Sequence, residues 1–543
     1  MKKEWKILND CRGMNDDEVI DVLLNSREID DYDEFLHPKQ SSLIPFLELD
    51  HIREAAKMVF DVLDRNGTIG VHFDVDQDGI SSGAIATRWL KHNGGNVETF
   101  INQGKAHGIR ELDVRELDNI DLLWIVDSID NSFDEYRRIL NQGVQIVITD
   151  HHLVPDELLS EIENNPDIVL ISSAVHYPNP ELSGSGVTWK LCKYMDTLNL
   201  DDYADTLVDL AAVGIVADMT DVGVESKENR LICYNGFCNP QNTAIQKING
   251  TYDFDAQAVS FGIAPLTNAA MRTQNNTLAK ELFLSDDSKE AFMLIKELRR
   301  CKENQNLEVS TLLSSLYQQA ESQLDKKCMF FFVDTEADVS GLIANRLLGM
   351  YQRPLFVLKE KVRVNQDTGE VYAHEYAGSC RAIGVDNFKA YVEQTGLGWS
   401  GGHENAFGFG VEVEDFEYFQ DLILESLQDV EFVQTTNIDL WLNPEDISSW
   451  LITQLKKINR ISGKGFPPIT VLCSGIIDYT LATMSNGKHL KINTQYLECI
   501  QWNFDGDLDS IQGPLSVVGV LDISTFRNTG TKQLIISDWR VEG

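Results

Sequence analysis

His72-Phe73-Asp74-Val75-Asp76-Gln77-Asp78-Gly79 decides how this chain is read. Three carboxylates stand at alternate positions, just after the apolar strand-like run Thr68-Ile69-Gly70-Val71. Such a concentration of negative charge at a strand end is costly unless a cation neutralises it. An EF-hand loop also begins Asp-x-Asp-x-Asp-Gly. Its twelfth position must be a bidentate Glu, and here that position is Ile85. Ala84, Ile85, Ala86 and Leu90 read as a helix instead. Strand, carboxylate-rich turn and helix together predict an α/β metal site at the carboxyl edge of a sheet.

A second stretch points the same way. Val144-Gln145-Ile146-Val147-Ile148-Thr149 runs into Asp150-His151-His152, a carboxylate and two imidazoles of the kind that suit Mn2+, Fe or Zn2+. Leu122-Leu123-Trp124-Ile125-Val126 ends in Asp127, and the apolar run 210–217 ends in Asp218. One such Asp commonly caps the next helix and means little. Four acidic sites with two histidines predict a shared dinuclear metal centre.

In order, these motifs resemble the phosphoesterase motifs of the DHH family. Gly378-Ser379-Cys380-Arg381 followed by Ser400-Gly401-Gly402-His403 resembles the Gly-Gly-His element of the DHH-associated domain. Asn268-Ala269-Ala270-Met271-Arg272, Gly341-Leu342-Ile343-Ala344-Asn345-Arg346, Gly463-Lys464-Gly465-Phe466-Pro467-Pro468 and Gly487-Lys488-His489-Leu490-Lys491 add to the likeness. Within the family it is to the RecJ-type single-strand-specific exonucleases. The chain departs from that pattern at Ala264-Pro265-Leu266, where Gly-Pro-Arg is usual. It departs again at Asn102-Gln103-Gly104-Lys105-Ala106-His107-Gly108, where an Arg and a Tyr-Gly are usual.

The resemblance implies an α/β fold with a two-lobed DHH phosphoesterase core. A parallel-sheet DHH domain (61–280) would join through a helical connector (281–326) to an α/β DHH-associated domain (327–431). An N-terminal lead-in (1–60), packed on the first domain, would precede them, and an OB-like β barrel (432–543) would follow. Alternating β-rich and helical stretches over 65–240 agree with βαβ units. The β-rich runs 471–480 and 533–538 agree with a small barrel.

The implied activity is a metal-dependent 5′→3′ exonuclease on single-stranded DNA, serving recombination, repair or replication with two Mn2+ or Mg2+ ions. Asp76 and Asp78 would each take a metal, Asp127 would bridge them, and His151 and Asp218 would complete one ion. His72 and Asp74 compete for a further ligand position. Asp150 would fix an imidazole tautomer, and His152 would contact substrate or orient a ligand. Arg272 would contact phosphate, and Ser379, Arg381, Gly401, Gly402 and His403 would hold the DNA backbone near the reacting group. Asn345 and Arg346 would join them, and Lys488, Lys491 and Arg527, with Phe526, Trp502 and Lys532, would form a single-strand platform. The two lobes are expected to enclose a groove too narrow for duplex.

Composition sets limits on this reading. The net charge of −39 stands against nucleic-acid binding, because phosphate neutralisation normally calls for a basic footprint. Either acidic surface serves solubility around a local basic groove, or the chain is a non-catalytic acidic module; intact metal motifs favour the first. Hydrolysis of short oligoribonucleotides or cyclic dinucleotides is the other alternative, and the C-terminal β domain argues against it. No run of about 18 apolar residues is present, and nine scattered Cys give no disulfide framework. A cytoplasmic monomer is expected, with single-stranded DNA as partner and a single-strand-binding protein or helicase as candidate associates.

Overall fold

The structure, a computed structural model, describes all residues except 1, 336–338, 365–370, 486, 505, 509–510, 525–529 and 543. The chain forms two compact units, Ile7–Leu298 with Asn437–Gly543, and Met1–Lys6 with Arg299–Thr436. Among the described residues no helix is long and apolar enough to cross a membrane.

After strand β1 (Lys2–Asp10) and a helical stretch come five parallel strands: β2 (Thr68–Phe73), β3 (Asn96–Ile101), β4 (Leu122–Val126), β5 (Gln145–Asp150) and β6 (Ile168–Ser172). Their order is β3-β2-β4-β5-β6. The chain steps outward from β2 to β3, then returns to the far side of β2 for β4. That reversal opens a crevice beyond the carboxyl ends of β2 and β4. Leu122, Trp124 and Val126 face a core with helices Ile52–Asp64, Gln77–His92, Gly184–Asn199 and Val208–Ala217. Leu123 and Ile125 face another core with Tyr136, Ile139, Leu158 and Ile162. Burial on both faces is why β4 and β5 read as near-continuous apolar runs, while β3 at the sheet edge does not.

Helix Ser288–Glu321 leaves this unit and enters the other. There β7 (Met329–Phe332), β8 (Leu355–Val364), β9 (Val371–Arg381), β10 (Trp399–His403) and β11 (Ala406–Glu412) form a sheet of order β10-β11-β9-β8-β7. Phe330, Phe356, Phe409 and Phe419 fill its core. Ser285-Asp286-Asp287 separates helix Asn276–Leu284 from helix Ser288–Glu321.

The C-terminal strands are β12 (Val433–Trp441), β13 (Val471–Ile476), β14 (Tyr479–Met484), β15 (His489–Thr494), β16 (Glu498–Gln501), β17 (Leu515–Ser524) and β18 (Thr531–Val541). They form a sheet of order β1-β12-β13-β17-β18-β16-β15-β14. The expected barrel is corrected here: among the described residues the pairings run in a line from β1 to β14 and do not close. The N-terminal strand takes the outer place beside β12. Residues 11–36, expected against the catalytic domain, also pack here: Cys11, Val19, Ile20, Leu23 and Phe35 share a core with Leu440, Leu451, Val471 and Val517. Arg27 fixes the arrangement by donating to both carboxylate oxygens of Asp439 at 2.7 and 2.9 Å. Leu43, Ile44 and Phe46 instead join the core beside the parallel sheet.

One buried ionic knot ties that lead-in to the parallel-sheet core. Lys190 Nζ lies 2.5 Å from Glu228 Oε1 and donates to the Ile44 carbonyl at 2.7 Å. Tyr177 Oη and the Ile44 amide also donate to Glu228. Burial lowers the Lys190 pKa and Glu228 opposes it. Lys190→Met strands the Glu228 charge and should cost about 3–5 kcal/mol in urea unfolding. Adding Glu228→Leu should recover part of that loss.

Candidate metal centre

The carboxyl edge of the parallel sheet gathers the acidic residues of the sequence motifs. Asp74 follows β2, and Asp76 caps helix Gln77–His92, its Oδ1 accepting from the Gly79 amide at 3.1 Å. Asp78 sits in the first turn of that helix, where the helix dipole favours a carboxylate. Asp127 follows β4 with φ 54°, a left-handed conformation costly for a residue with a Cβ. Its amide donates to the Thr149 carbonyl at 2.8 Å, tying the turn to β5. Asp150 ends β5, and its Oδ1 accepts from the His151 and His152 amides and His152 Nδ1, at 2.5, 2.8 and 2.7 Å. Asp218 stands at the C-terminus of helix Val208–Ala217, the electronegative end and the wrong place for an uncompensated carboxylate.

Three overlapping groups of ligand-type atoms result among the described residues. Asp78, His151 and Asp218 form one, Asp74, Asp76 and Asp127 a second, and Asp127, Asp150, His151 and His152 a third that adjoins both, each with its atoms within 4.8 Å of one another. His151 Nε2 joins them, 3.3 Å from Asp127 Oδ1 and 3.6 Å from Asp218 Oδ2. Among the described residues, nothing hydrogen-bonds the buried Asp78 Oδ2, Asp127 Oδ1 and Asp150 Oδ2. Buried acceptors of this kind call for a cation, and oxygen donors with one imidazole fit Mn2+ or Mg2+. Glycine makes the crowding possible: a Cβ at Gly79, Gly184 or Gly214 would run into Asp74, Asp127 or Asp78.

Electrostatics record how tightly these carboxylates are crowded. Burial first, then the charges of Asp78 and Asp76, push Asp218 up to about 8; His152 and Lys464 oppose them. Burial and the same two neighbours raise Asp127 well above the carboxylate range. Burial alone would raise Asp150, but His152 and His151 hold it low. The Asp150 hydrogen bond lifts His152 to about 9, so its imidazole is cationic at neutral pH.

Of the two competing ligand candidates, Asp74 lies in the cluster and His72 does not. His72 is buried in β2, neither ring nitrogen has a well-formed hydrogen bond, and burial lowers its pKa to about 4 against the influence of Asn102. Sequence reasoning missed His107, whose Nδ1 lies 2.9 Å from both Asp74 oxygens, and Ser183 and Ser185, which donate to Asp78. The Ser183-Gly184-Ser185-Gly186 run was the available signal. Lys105, His107 and Asn268 line a cavity of about 240 Å³ together with Asp76, Asp78 and Asp218. Arg272 ends the helix that carries Asn268.

In the other unit, Asn345, Arg381, Gly402 and His403 share a concavity of about 990 Å³ with Lys389. Arg381 Nε donates to Asn345 Oδ1 at 2.9 Å, and Ser379 Oγ contacts Ser340 Oγ at 2.9 Å. Gly401 pairs with Gly408 on the same sheet, and Arg346 bonds Asn306. In the C-terminal sheet, Lys491 is held by Glu498 at 2.6 Å, while Lys488 and Trp502 are exposed and the Trp502 ring meets His489 edge-on at 4.9 Å. Lys532 donates to the Ile447 carbonyl. Phe526 and Arg527 lie outside the described residues.

Known proteins share these elements. The DHH family, N-terminal domain, matches residues 68–215, and the RecJ OB domain matches residues 438–538. Both matches fall within this one polypeptide. The single-stranded-DNA-specific exonuclease RecJ of Bacillus subtilis is 25% identical over 538 residues, 93% of this chain and 65% of that protein. The RecJ exonuclease of Thermus thermophilus is 28% identical over 393 residues, 69% of this chain and 54% of that protein. This chain thus spans less than two thirds of the length of either relative. The crystal structure of Thermus thermophilus RecJ in complex with Mn2+ shares the fold, with a TM-score of 0.77, 24% identity and coverage of 100% of this chain and 80% of that one. Asp74 through His152 lie inside the DHH match, and Lys464 lies inside the RecJ OB match.

A cation bound among these carboxylates would compete with protons on Asp218 and Asp127. Mn2+ affinity should therefore fall as pH drops below about 8. Calorimetry in buffers of different ionisation enthalpy should detect proton release on loading at neutral pH. Without metal the sign for stability is the reverse. Asp218 has a folded pKa above its unfolded one, so its contribution is full in acid and lost as pH rises through about 8.

Proposed function

We propose that this chain is a metal-dependent, single-strand-specific DNA exonuclease that removes nucleotides from the 5′ end, in DNA recombination, repair or replication. The observation that carries this reading is the pair of adjoining carboxylate and imidazole groups at the sheet edge, joined through Asp127 and His151 and holding buried acceptors without donors. The RecJ names of the relatives supply the substrate class.

In this reading Asp78, His151 and Asp218 would hold one divalent cation, and Asp74, Asp76 and Asp127 would hold the other. Mn2+ or Mg2+ there would activate water and neutralise charge on the phosphoryl oxygens. The protein's own part is to hold six ligands rigidly, through caps, serine donors and glycine contacts. His152, cationic through Asp150, is available to a phosphate oxygen at the rim of the site. Arg272 offers a guanidinium fork to the same group. Lys389, Arg381 and His403 in the second unit, and Lys488 with Trp502 on the OB sheet, are suited to backbone phosphates and stacked bases. These local cations answer the net charge of −39: strand contact needs only a few placed groups within an acidic surface.

Asp127→Ala should abolish turnover while circular dichroism and thermal unfolding stay near normal; near-normal cleavage would remove Asp127 from the bridging role. Arg272→Ala should retain Mn2+ and lose roughly 10²–10³ in rate. End-labelled strands test polarity and specificity together. Linear single strands should lose the 5′ label first, a 5′ single-stranded tail should rescue a blunt duplex, and a circular strand should resist. Release from the 3′ end, or equal cutting of circles, would sink the reading.

A further inference from the structure

The segment that follows Asp218 is gripped from the RecJ OB domain. Met219 adopts φ 57°, and the Thr220 amide and hydroxyl both turn back to the Ile215 carbonyl at 3.2 and 3.0 Å. Two residues further on, the Val222 amide donates to the Lys464 carbonyl at 2.9 Å. The buried guanidinium of Arg230 bonds the Val222 and Ile461 carbonyls at 2.8 and 3.3 Å, joining both sides of the contact. Gly465, at φ 77°, packs so closely on the Asp221 carboxylate that a Cβ would collide with it. The Lys464 ammonium pairs with Glu181 at 2.8 Å, and the same Glu181 oxygen accepts from the Asp221 amide at 3.2 Å. Asn229 closes the ring, donating to the Glu181 and Asp221 carbonyls at 2.8 Å each.

We infer that the Gly463–Gly465 turn of the OB domain is a positioning element for Asp218, so that the OB domain sets metal affinity at the DHH site as well as offering a surface to the strand. The inference rests on the proposed metal-centre reading. Its physical basis is that Asp218 lies between helix Val208–Ala217 and a clamp whose partners come from residues 181, 229–230 and 461–465. A ligand at the end of a helix keeps its place only if the chain beyond it is held. Groups that orient a ligand in this way commonly govern metal affinity by about 10–100-fold.

Charge gives the test a sign. Lys464 is close enough for its charge to act on Asp218. Through charge alone, removing this cation would tighten binding of a divalent ion; through the clamp, removal loosens it. Mn2+ binding is measured on the DNA-free protein by electron paramagnetic resonance and calorimetry, alongside the activity of the unaltered chain on single-stranded DNA. Lys464→Gln should weaken Mn2+ at the Asp218 site about tenfold, Lys464→Arg should restore it, and Gly465→Ala should weaken it without any change of charge. Lys488→Gln on the OB sheet should leave Mn2+ affinity unaltered. Tighter Mn2+ binding by Lys464→Gln, or full affinity in a folded Gly465→Ala, would overturn the clamp. Should Gly465→Ala not fold, the half-exposed Lys464 pair decides the question alone. Absent nuclease activity with intact Mn2+ coupling would count against the proposed function and not against this inference.

Discussion

Crowded carboxylates at one edge of a parallel sheet are the constraint on which the rest of this protein depends. Asp74, Asp76, Asp78, Asp127, Asp150 and Asp218 converge within a space from which water is largely excluded, where like charges cannot all remain ionised without compensation. Compensation comes from three sources in the chain itself: helix N-terminal amides at Asp76 and Asp78, serine hydroxyls at Asp74 and Asp78, and imidazoles at Asp74 and Asp150. Asp127 and Asp218 receive none of these in full, which is why their pKa values rise so far. The negative charge that remains is of the kind a divalent cation would neutralise.

Rigidity follows from the same constraint. Ligands that repel one another move apart unless the backbone prevents it, and here the backbone is held by close packing. Helix Gln77–His92 is buried along most of its length, and the glycines at 79, 184 and 214 let strand, turn and helix approach until carboxylates sit against Cα atoms. The Lys190–Glu228 knot and the Asn229–Arg230 contacts extend this stiffness away from the site, binding helix Lys227–Cys238 to the lead-in on one side and to the OB turn on the other. An ionic pair so deeply buried contributes little net stability, but it fixes which segments meet.

The strongly acidic composition finds a partial answer in placement. Ion pairs such as Arg110–Glu135 and Arg115–Asp113 occupy exposed cations, and Lys491 is occupied by Glu498. Other cations line concavities: Lys105 beside Asp76, Asp78 and Asp218, and Arg381 and Lys389 in the second unit. Net charge describes long-range steering and solubility; a strand is held by the few groups that line its path.

Local pattern was enough for much of this. Apolar runs ending in Asp74, Asp127 and Asp150 marked out the strands and their polarity, because a strand buried on both faces must be apolar throughout and its charged residues can only fall at the end. The carboxylate and histidine spacing then gave the ligand types, and the resemblance gave the order of domains. Tertiary structure alone decided the rest. His72 and Asp74 sit two residues apart, yet Asp74 meets Asp76 and Asp127 while His72 stays buried within β2. His107 reaches Asp74 across a loop pinned by Asn276, about 170 residues further on, which no local spacing reveals. The N-terminal strand lies beside β12, and the Lys464 turn lies against the residues after Asp218. Both are contacts between segments hundreds of residues apart, set by complementary surfaces rather than by periodicity.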